Sequence, residues 1–178
     1  MDINMKIVTP EMIADLLARA TATPRKRMNL NLHPALSDPT NRFVNAGIAG
    51  TYVRPHRHRP HRWEIISVLQ GRLDLLLFAA EGEVKARIPL GADGAGLVEI
   101  PGGAWHSFVF HAPAAVVLEV KPRPLRTPAR QGVAEWAPAE GAGSAISFTA
   151  WLETATPGDL WRPMTERTEP TIPPGSRI

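Results

Sequence analysis

The stretch Gly50–Gly71, GTYVRPHRHRPHRWEIISVLQG, decides how the rest of the chain is read. It sets His56 and His58 two positions apart and places a carboxylate, Glu64, at the head of the apolar run that follows. Successive side chains on a strand point to opposite faces, so His56 and His58 face the same way. A carboxylate opening WEIISVL is costly to bury unless it is paired or bound to a metal. Further along, PGGAWH brings His106 out of a Pro-Gly-Gly turn that can aim it inward. His56, His58, Glu64 and His106 together make a nitrogen and oxygen donor set for one divalent transition metal ion. With an octahedral ion such a set leaves about two positions open. It accepts Fe, Mn, Ni, Zn, Co or Cu, and the residues alone do not choose among them.

Composition narrows the setting. The 178 residues suffice for one domain with its own core. Hydrophobic content of 44% and charged content of 21% are ordinary for a globular protein. With 18 prolines and 14 glycines the chain reads as rich in turns and strands rather than as a helical bundle. Cysteine is absent, which excludes disulfides and thiolate ligands. The net charge is a mild +3. No secretory h-region and no apolar run of membrane-spanning length is visible, so the expectation is a cytoplasmic protein without membrane contact.

Working outward, the N-terminus reads as a short helix. Thr9 is the expected cap, Pro10 suits the first turn, and Ile13, Leu16, Leu17 and Ala20 recur at helical spacing before Thr23-Pro24 ends it. Next, Asn29, Asn31 and His33 alternate with Leu30 and Leu32, the period of a strand. Another strand is expected over 42–48. Short strands are then expected near 51–58, 63–69, 72–79, 83–89, 97–100, 105–111 and 115–121, with Gln70-Gly71 among the breaks. This spacing suggests an antiparallel sandwich or barrel. Residues 122–143 read as irregular, and Ser144 as the cap of a last short helix carrying Ile146, Phe148, Trp151 and Leu152. The domain division is thus a helical segment at 1–24, a β-domain at 25–152 and a Pro-rich tail at 153–178. That tail reads as extended or disordered, with Trp161 able to dock.

The motifs carry a resemblance. Gly50–Gly71 is similar to the first cupin motif and PGGAWH to the second. Five residues separate His58 from Glu64, a longer gap than the motif's usual one, and Phe110 stands where the second motif usually has Asn. More narrowly, RMNLNLH, YVRPHRH, WEIISVLQGRLDLLLF, VEIPGGAWH, VVLEVKPRP and WAPAEG resemble the WbuC family of cupin-fold metalloproteins. That likeness covers roughly residues 25–152. It implies a double-stranded β-helix, or jelly roll, with metal ligands at His56, His58, Glu64 and His106, and commonly a homodimer. It leaves substrate and reaction open.

Other residues admit two readings each. Arg54, Arg57, Arg59 and Arg62 are either a solvated charged loop or an anion-binding rim, with Arg54 the best candidate because it shares strand parity with the histidines. His61 belongs to the same loop as a solvated residue. Asn29, Asn31 and His33 are either a solvent-facing edge or the mouth of a cavity, with Asn31 as a substrate contact and His33 as a proton carrier. Glu119 and Lys121 are an ion pair or a polar wall, and Lys121 is a further catalytic candidate. Trp63 and Trp105 read as packing residues, Trp105 also as a face for a sugar ring. The basic loop lacks interleaved aromatics and a recognition helix, so nucleic acid is not expected as a partner.

The expected function is a metal-dependent cupin enzyme, an oxygenase or isomerase, acting on a small polar molecule, carbohydrate-like or anionic. The alternative is a non-catalytic metal-containing protein that binds or senses a small ligand. Fold alone does not separate these.

Overall fold

A computed structural model describes residues 5–35, 37–122 and 132–162. Helix α1 (Pro10–Ala22) begins where expected. Thr9 Oγ1 accepts the Met12 N–H at 3.4 Å, and Pro10 occupies a position whose missing N–H costs nothing. Then come strands β1 (Arg27–Asn31), β2 (Thr40–Ile48), β3 (His56–Arg57), β4 (Glu64–Phe78), β5 (Val84–Gly91), β6 (Leu97–Ile100), β7 (Trp105–Pro122) and β8 (Gly132–Val133). Helix α2 (Ser144–Thr154) follows.

Two expectations are corrected here. Residues 63–69 and 72–79 are one strand, β4, and residues 105–111 and 115–121 are one strand, β7. Each long strand bends midway and serves two sheets. The first half of β4 pairs with the second half of β7 (Ile65↔Val120, Val68↔Val117), and its second half pairs with the first half of β7 (Leu73↔Phe110, Leu77↔His106). Register shifts at Val68/Gln70 and Gly71/Leu73 absorb the bend without a loop. Gly71 sits there at φ +78°, and a Cβ on it would lie 2.1 Å from the Ala114 carbonyl oxygen. Gln70-Gly71 is therefore a corner inside a strand rather than a break between two. Residues 51–55, expected as strand, are irregular, and only His56–Arg57 pairs.

The pairings give two antiparallel sheets with β4 and β7 in common. One runs β1, β2, the second half of β7, the first half of β4, then β6. The other runs β5, the second half of β4, the first half of β7, β3, then β8. This is the all-β cupin jelly roll that the motifs imply, with a short helix on each outer face.

Three apolar clusters mark the layers. Leu16 and Ala20 of α1 bury against Val44, Ala46 and Val116 on the outside of the first sheet. Ile66, Leu73, Leu75, Phe108, Phe110 and Val117 fill the space between the sheets. Phe148 and Leu152 of α2 cover Leu76, Val84 and Val109 on the outside of the second. Burying each large side chain contributes about 1.5–3 kcal/mol.

At α2, Ser144 is the first helical residue and not the cap, and no side chain caps that end. Ile146 is 80% exposed, so it does not belong to the buried face with Phe148 and Leu152. Arg87 instead closes the other end, donating to the Leu152 and Ala155 carbonyls, both at 2.9 Å, and to the Glu153 carbonyl at 3.0 Å. Beyond α2 the chain returns to β5. The Val84 N–H donates to Asp159 O at 2.9 Å, and Trp161 packs on Phe148 and Trp151. Trp161 thus docks on its own domain. The expected disorder of the tail falls, from residue 163 on, outside the described residues. No helix among the described residues is long and apolar enough to cross a membrane.

Candidate metal centre

The four expected ligands converge. His56 on β3 is the register partner of His106 on β7, and their rings lie 4.4 Å apart. His58 follows just past exposed Arg57, with its ring 5.4 Å from His56 and 5.7 Å from His106. Glu64 enters at the first residue of β4. The Gly103 N–H donates to the His58 carbonyl at 2.9 Å, so the Pro-Gly-Gly turn and the His-x-His stretch are tied directly together. One ligand atom from each of the four residues lies within 4.8 Å of the others.

The ring orientations suit coordination. His56 Nδ1 lies 3.0 Å from the Arg54 carbonyl and His106 Nδ1 lies 2.9 Å from the Ala104 carbonyl. With Nδ1–H donating there, each Nε2 carries a free lone pair. Glu64 Oε2 stands 3.0 Å from His58 Nε2 and 3.2 Å from His106 Nε2, the latter at an angle that makes no hydrogen bond. His106 Nε2 and His58 Nδ1 are buried without a hydrogen-bond partner. Buried nitrogens left unsatisfied beside a buried carboxylate are costly for a cluster that stays empty and ordinary for one that ligates an ion. The residues fit a metal.

Electrostatics keeps the donors in ligating form. Burial, with His106 beside it, pushes His56 down to about 3, so its imidazole is neutral. Burial alone would raise Glu64, but the His106 and His58 rings and the Lys121 charge outweigh it and hold the carboxyl well below its usual range.

A cavity of about 390 Å³ lies between the sheets, lined by His56 and Glu64. Register explains which strand residues reach it. Asn29↔Asn45 and Asn45↔Val117 are partners in adjacent strands, as are Phe43↔Glu119 and Ile66↔Glu119, and paired residues share a face. Lys121 Nζ reaches Glu64 Oε1 at 3.5 Å and contacts Glu119, which accepts the Asn45 Nδ2 donor at 2.5 Å. Burial and the nearby Glu64 charge push Glu119 up to about 7. Burial disfavours the Lys121 ammonium, yet Glu64 and Glu119 raise it above its ordinary value.

Of the further candidates, the structure brings Lys121 into this cavity. Asn31 stands beside it, accepting from Asn29 Nδ2 at 2.6 Å, while Asn29 itself is a lining residue. His33 is buried elsewhere, with Nδ1 in reach of the Arg42 carbonyl and N–H and its ring edge-on to Phe43. Arg54 donates twice to the Ala134 carbonyl, at 2.7 and 3.2 Å. Its parity with the histidines fails because residues 51–55 are not strand. Trp105 packs on the outer cluster with Trp136, under the Arg57 guanidinium at 4.5 Å. Arg62, read as part of a solvated loop or an anion-binding rim, is buried and donates to the Pro122 carbonyl at 2.8 and 3.1 Å. His61 and Arg59 are exposed as expected.

Sequence reasoning missed Asn45 and the basic pair Arg25 and Arg27, which also line the cavity. Asn45 was findable, since it alternates with the apolar Val44 and Ala46 inside a strand. Arg25 and Arg27 were not, because their partner Glu140, at 2.7 Å from Arg25 Nε and 3.0 Å from Arg27, lies far away in the chain.

A family model described as a domain of unknown function (DUF6016) matches residues 8–90, a span that holds His56, His58 and Glu64 but ends before His106. No curated protein matches the chain. Among solved structures, TT1209 from Thermus thermophilus is 22% identical, with a TM-score of 0.50 over 67% of this chain and 100% of that one. Rru_A2000 from Rhodospirillum rubrum, a cupin-2 domain, is 19% identical with a TM-score of 0.49, covering 71% of this chain and 79% of that one. The Schizosaccharomyces pombe Cnp3 cupin domain is 16% identical with a TM-score of 0.43, covering 56% of this chain. The match spans 66% of the Cnp3 chain's length. The likeness to TT1209 concerns the fold alone.

Proposed function

We propose that the chain is a metal-dependent cupin enzyme whose single divalent transition metal ion is held by His56, His58, Glu64 and His106. One observation carries the reading: two of those ligands, His56 and Glu64, open onto the same cavity as Lys121 and Glu119. An ion held there and a small molecule in the cavity would meet.

The bound ion would supply Lewis-acid polarisation of a coordinated oxygen. The chain supplies the rest. Backbone carbonyls at Arg54 and Ala104 fix the tautomer and aim of two imidazoles. Lys121 Nζ holds the outer oxygen of Glu64 and presents an ammonium to whatever enters. Glu119, braced by Asn45, places a carboxylate on the same wall. The apolar residues between the sheets flank this wall and lower the local dielectric, which strengthens its electrostatics. The resemblance to WbuC-like proteins belongs to the same proposal.

The pairing of Lys121 with Glu119 and Glu64 favours a second reading, a metal-containing binding protein. Those groups already satisfy one another without a substrate. The test is to load the protein with each candidate metal and incubate it with a panel of small carboxylic acids, sugars and hydroxy acids. Mass spectrometry then follows conversion, with His58→Ala as the control. Conversion that disappears in His58→Ala supports the enzyme. Tight binding across the panel with no conversion, under air and under nitrogen, selects the binding protein.

A further inference from the structure

The cavity has two unlike ends. At one end stand the metal-ligating residues His56 and Glu64 with Lys121, Glu119 and Asn45. Away from them the wall between the sheets is apolar, formed by Ile66, Leu73, Phe108, Phe110 and Val117, while Arg25 and Arg27, paired with Glu140, stand at the cavity's margin. This wall begins at the site itself, since the Phe108 ring lies 5.8 Å from the His106 ring. Ile66 is the next residue after Glu64 on the same face of β4.

Phe110 closes the apolar end, and its place depends on Gly47. A Cβ at residue 47 would come within 2.6 Å of the Phe110 ring, so the ring occupies the space that a side chain there would need. The sequence thus fits a large aromatic surface to the far end of the cavity. The volume of about 390 Å³ is small for a ligand pocket and has room for one compact body.

Charge completes the picture. Three basic side chains line the cavity, Arg25, Arg27 and Lys121, but Glu140 pairs with both arginines, and Glu64 and Glu119 pair with Lys121. The charges are thus balanced without an ion, and a divalent ion on Glu64 turns the metal-ligand end toward attracting an anion.

We propose that the ligand of this site is a small carboxylate bearing a compact apolar group. The carboxylate sits at the metal-ligand end, and the apolar group packs on Phe108 and Phe110. This rests on the metal-site reading above and narrows it. A sugar, with hydroxyls on every side, would leave several of them unpaired against the phenylalanine wall, which costs affinity.

Calorimetric titration of the full chain, loaded with Mn(II) or Zn(II) and assayed for metal content, decides it. The probes are phenylacetate, acetate and gluconate. Phenylacetate should bind at least about tenfold more tightly than acetate, and gluconate no better than acetate. Phe110→Asn should erase the preference for phenylacetate over acetate. Gly47→Ala should do the same by pushing the ring into the cavity. Phe110→Leu, which keeps an apolar end in a milder change, should retain part of the preference. Equal affinities for acetate and phenylacetate, or tightest binding of gluconate, would overturn the proposal, as would a phenylacetate preference indifferent to both Phe110 variants. A chain that takes up no metal would sink the metal reading alone. The apolar end contains no metal ligand, so a Phe110-dependent preference would still stand.

Discussion

Lys121 and His58 take opposite oxygens of the Glu64 carboxylate. Lys121 Nζ faces Oε1 at 3.5 Å, while Oε2 faces the imidazoles of His58 and His106. The lysine therefore acts as a tether that leaves one oxygen for the ligand cluster. Replacing it with Met should release the carboxylate and leave Glu119 without its ion-pair partner. Metal affinity should fall about 10- to 100-fold, the usual consequence of removing a support behind a ligand. Competition with a chelator measures it, and an unchanged Kd would show the tether to be irrelevant.

His58 and His61 are only three residues apart, yet His58 is buried in the cluster and His61 is exposed. His58→Ala should strip the metal, whereas His61→Ala should leave about one ion per chain. Elemental analysis of the purified variants tells them apart. Equal losses would mean the ligand was misassigned within the loop.

At the cavity's margin Glu140 bridges Arg25 and Arg27. Burial opposes its ionisation, but the two guanidiniums prevail and hold its carboxyl below the usual value. A lowered folded-state value means that the pair stabilises the protein above the unfolded carboxylate's range. That contribution is lost as pH falls through the folded value. The group is partly exposed and screened, so about 1 kcal/mol or less is at stake. Glu140→Gln should lower stability by that amount at neutral pH and by much less in acid, once the carboxyl is protonated in both states. Urea melts at the two pH values provide the comparison.

Phe148 is the hub of the outer aromatic cluster, with ring neighbours Tyr52, Trp136, Trp151 and Trp161. It is fully buried. Phe148→Ala should cost about 3–5 kcal/mol. The same variant should increase tryptophan exposure, seen as a red-shifted emission, because the helix and the returning chain both pack on this ring.

The convergence of His56, His58, Glu64 and His106 was legible because its signal is local. An apolar strand headed by Glu64, a pair of histidines in strand alternation and a turn before His106 each carry their own physical reason. What was not legible depends on distant backbone. Arg54 read as the best anion-binding candidate and Arg62 as a solvated or anion-binding rim charge, yet each ends on a carbonyl, of Ala134 and of Pro122, that no pattern near them announces. Gly71 read as a turn because glycine permits a corner as readily as a reversal, and only the pairing partner distinguishes the two. Asn45 shows the middle case, visible by alternation once its strand is known to face inward.

The two bent strands have a mechanical consequence. Because β4 and β7 each run unbroken through both sheets, the walls of the cavity share a hinge made of continuous backbone. Neither wall can slide or peel from the other along that seam without breaking a hydrogen-bonded ladder that also positions His106. The margin away from that seam is held by side-chain contacts instead, such as Arg27 reaching from β1 to the Tyr52 carbonyl. In hydrogen exchange, amides of both sheets along the seam should open together as one cooperative unit, while β1 opens earlier and alone.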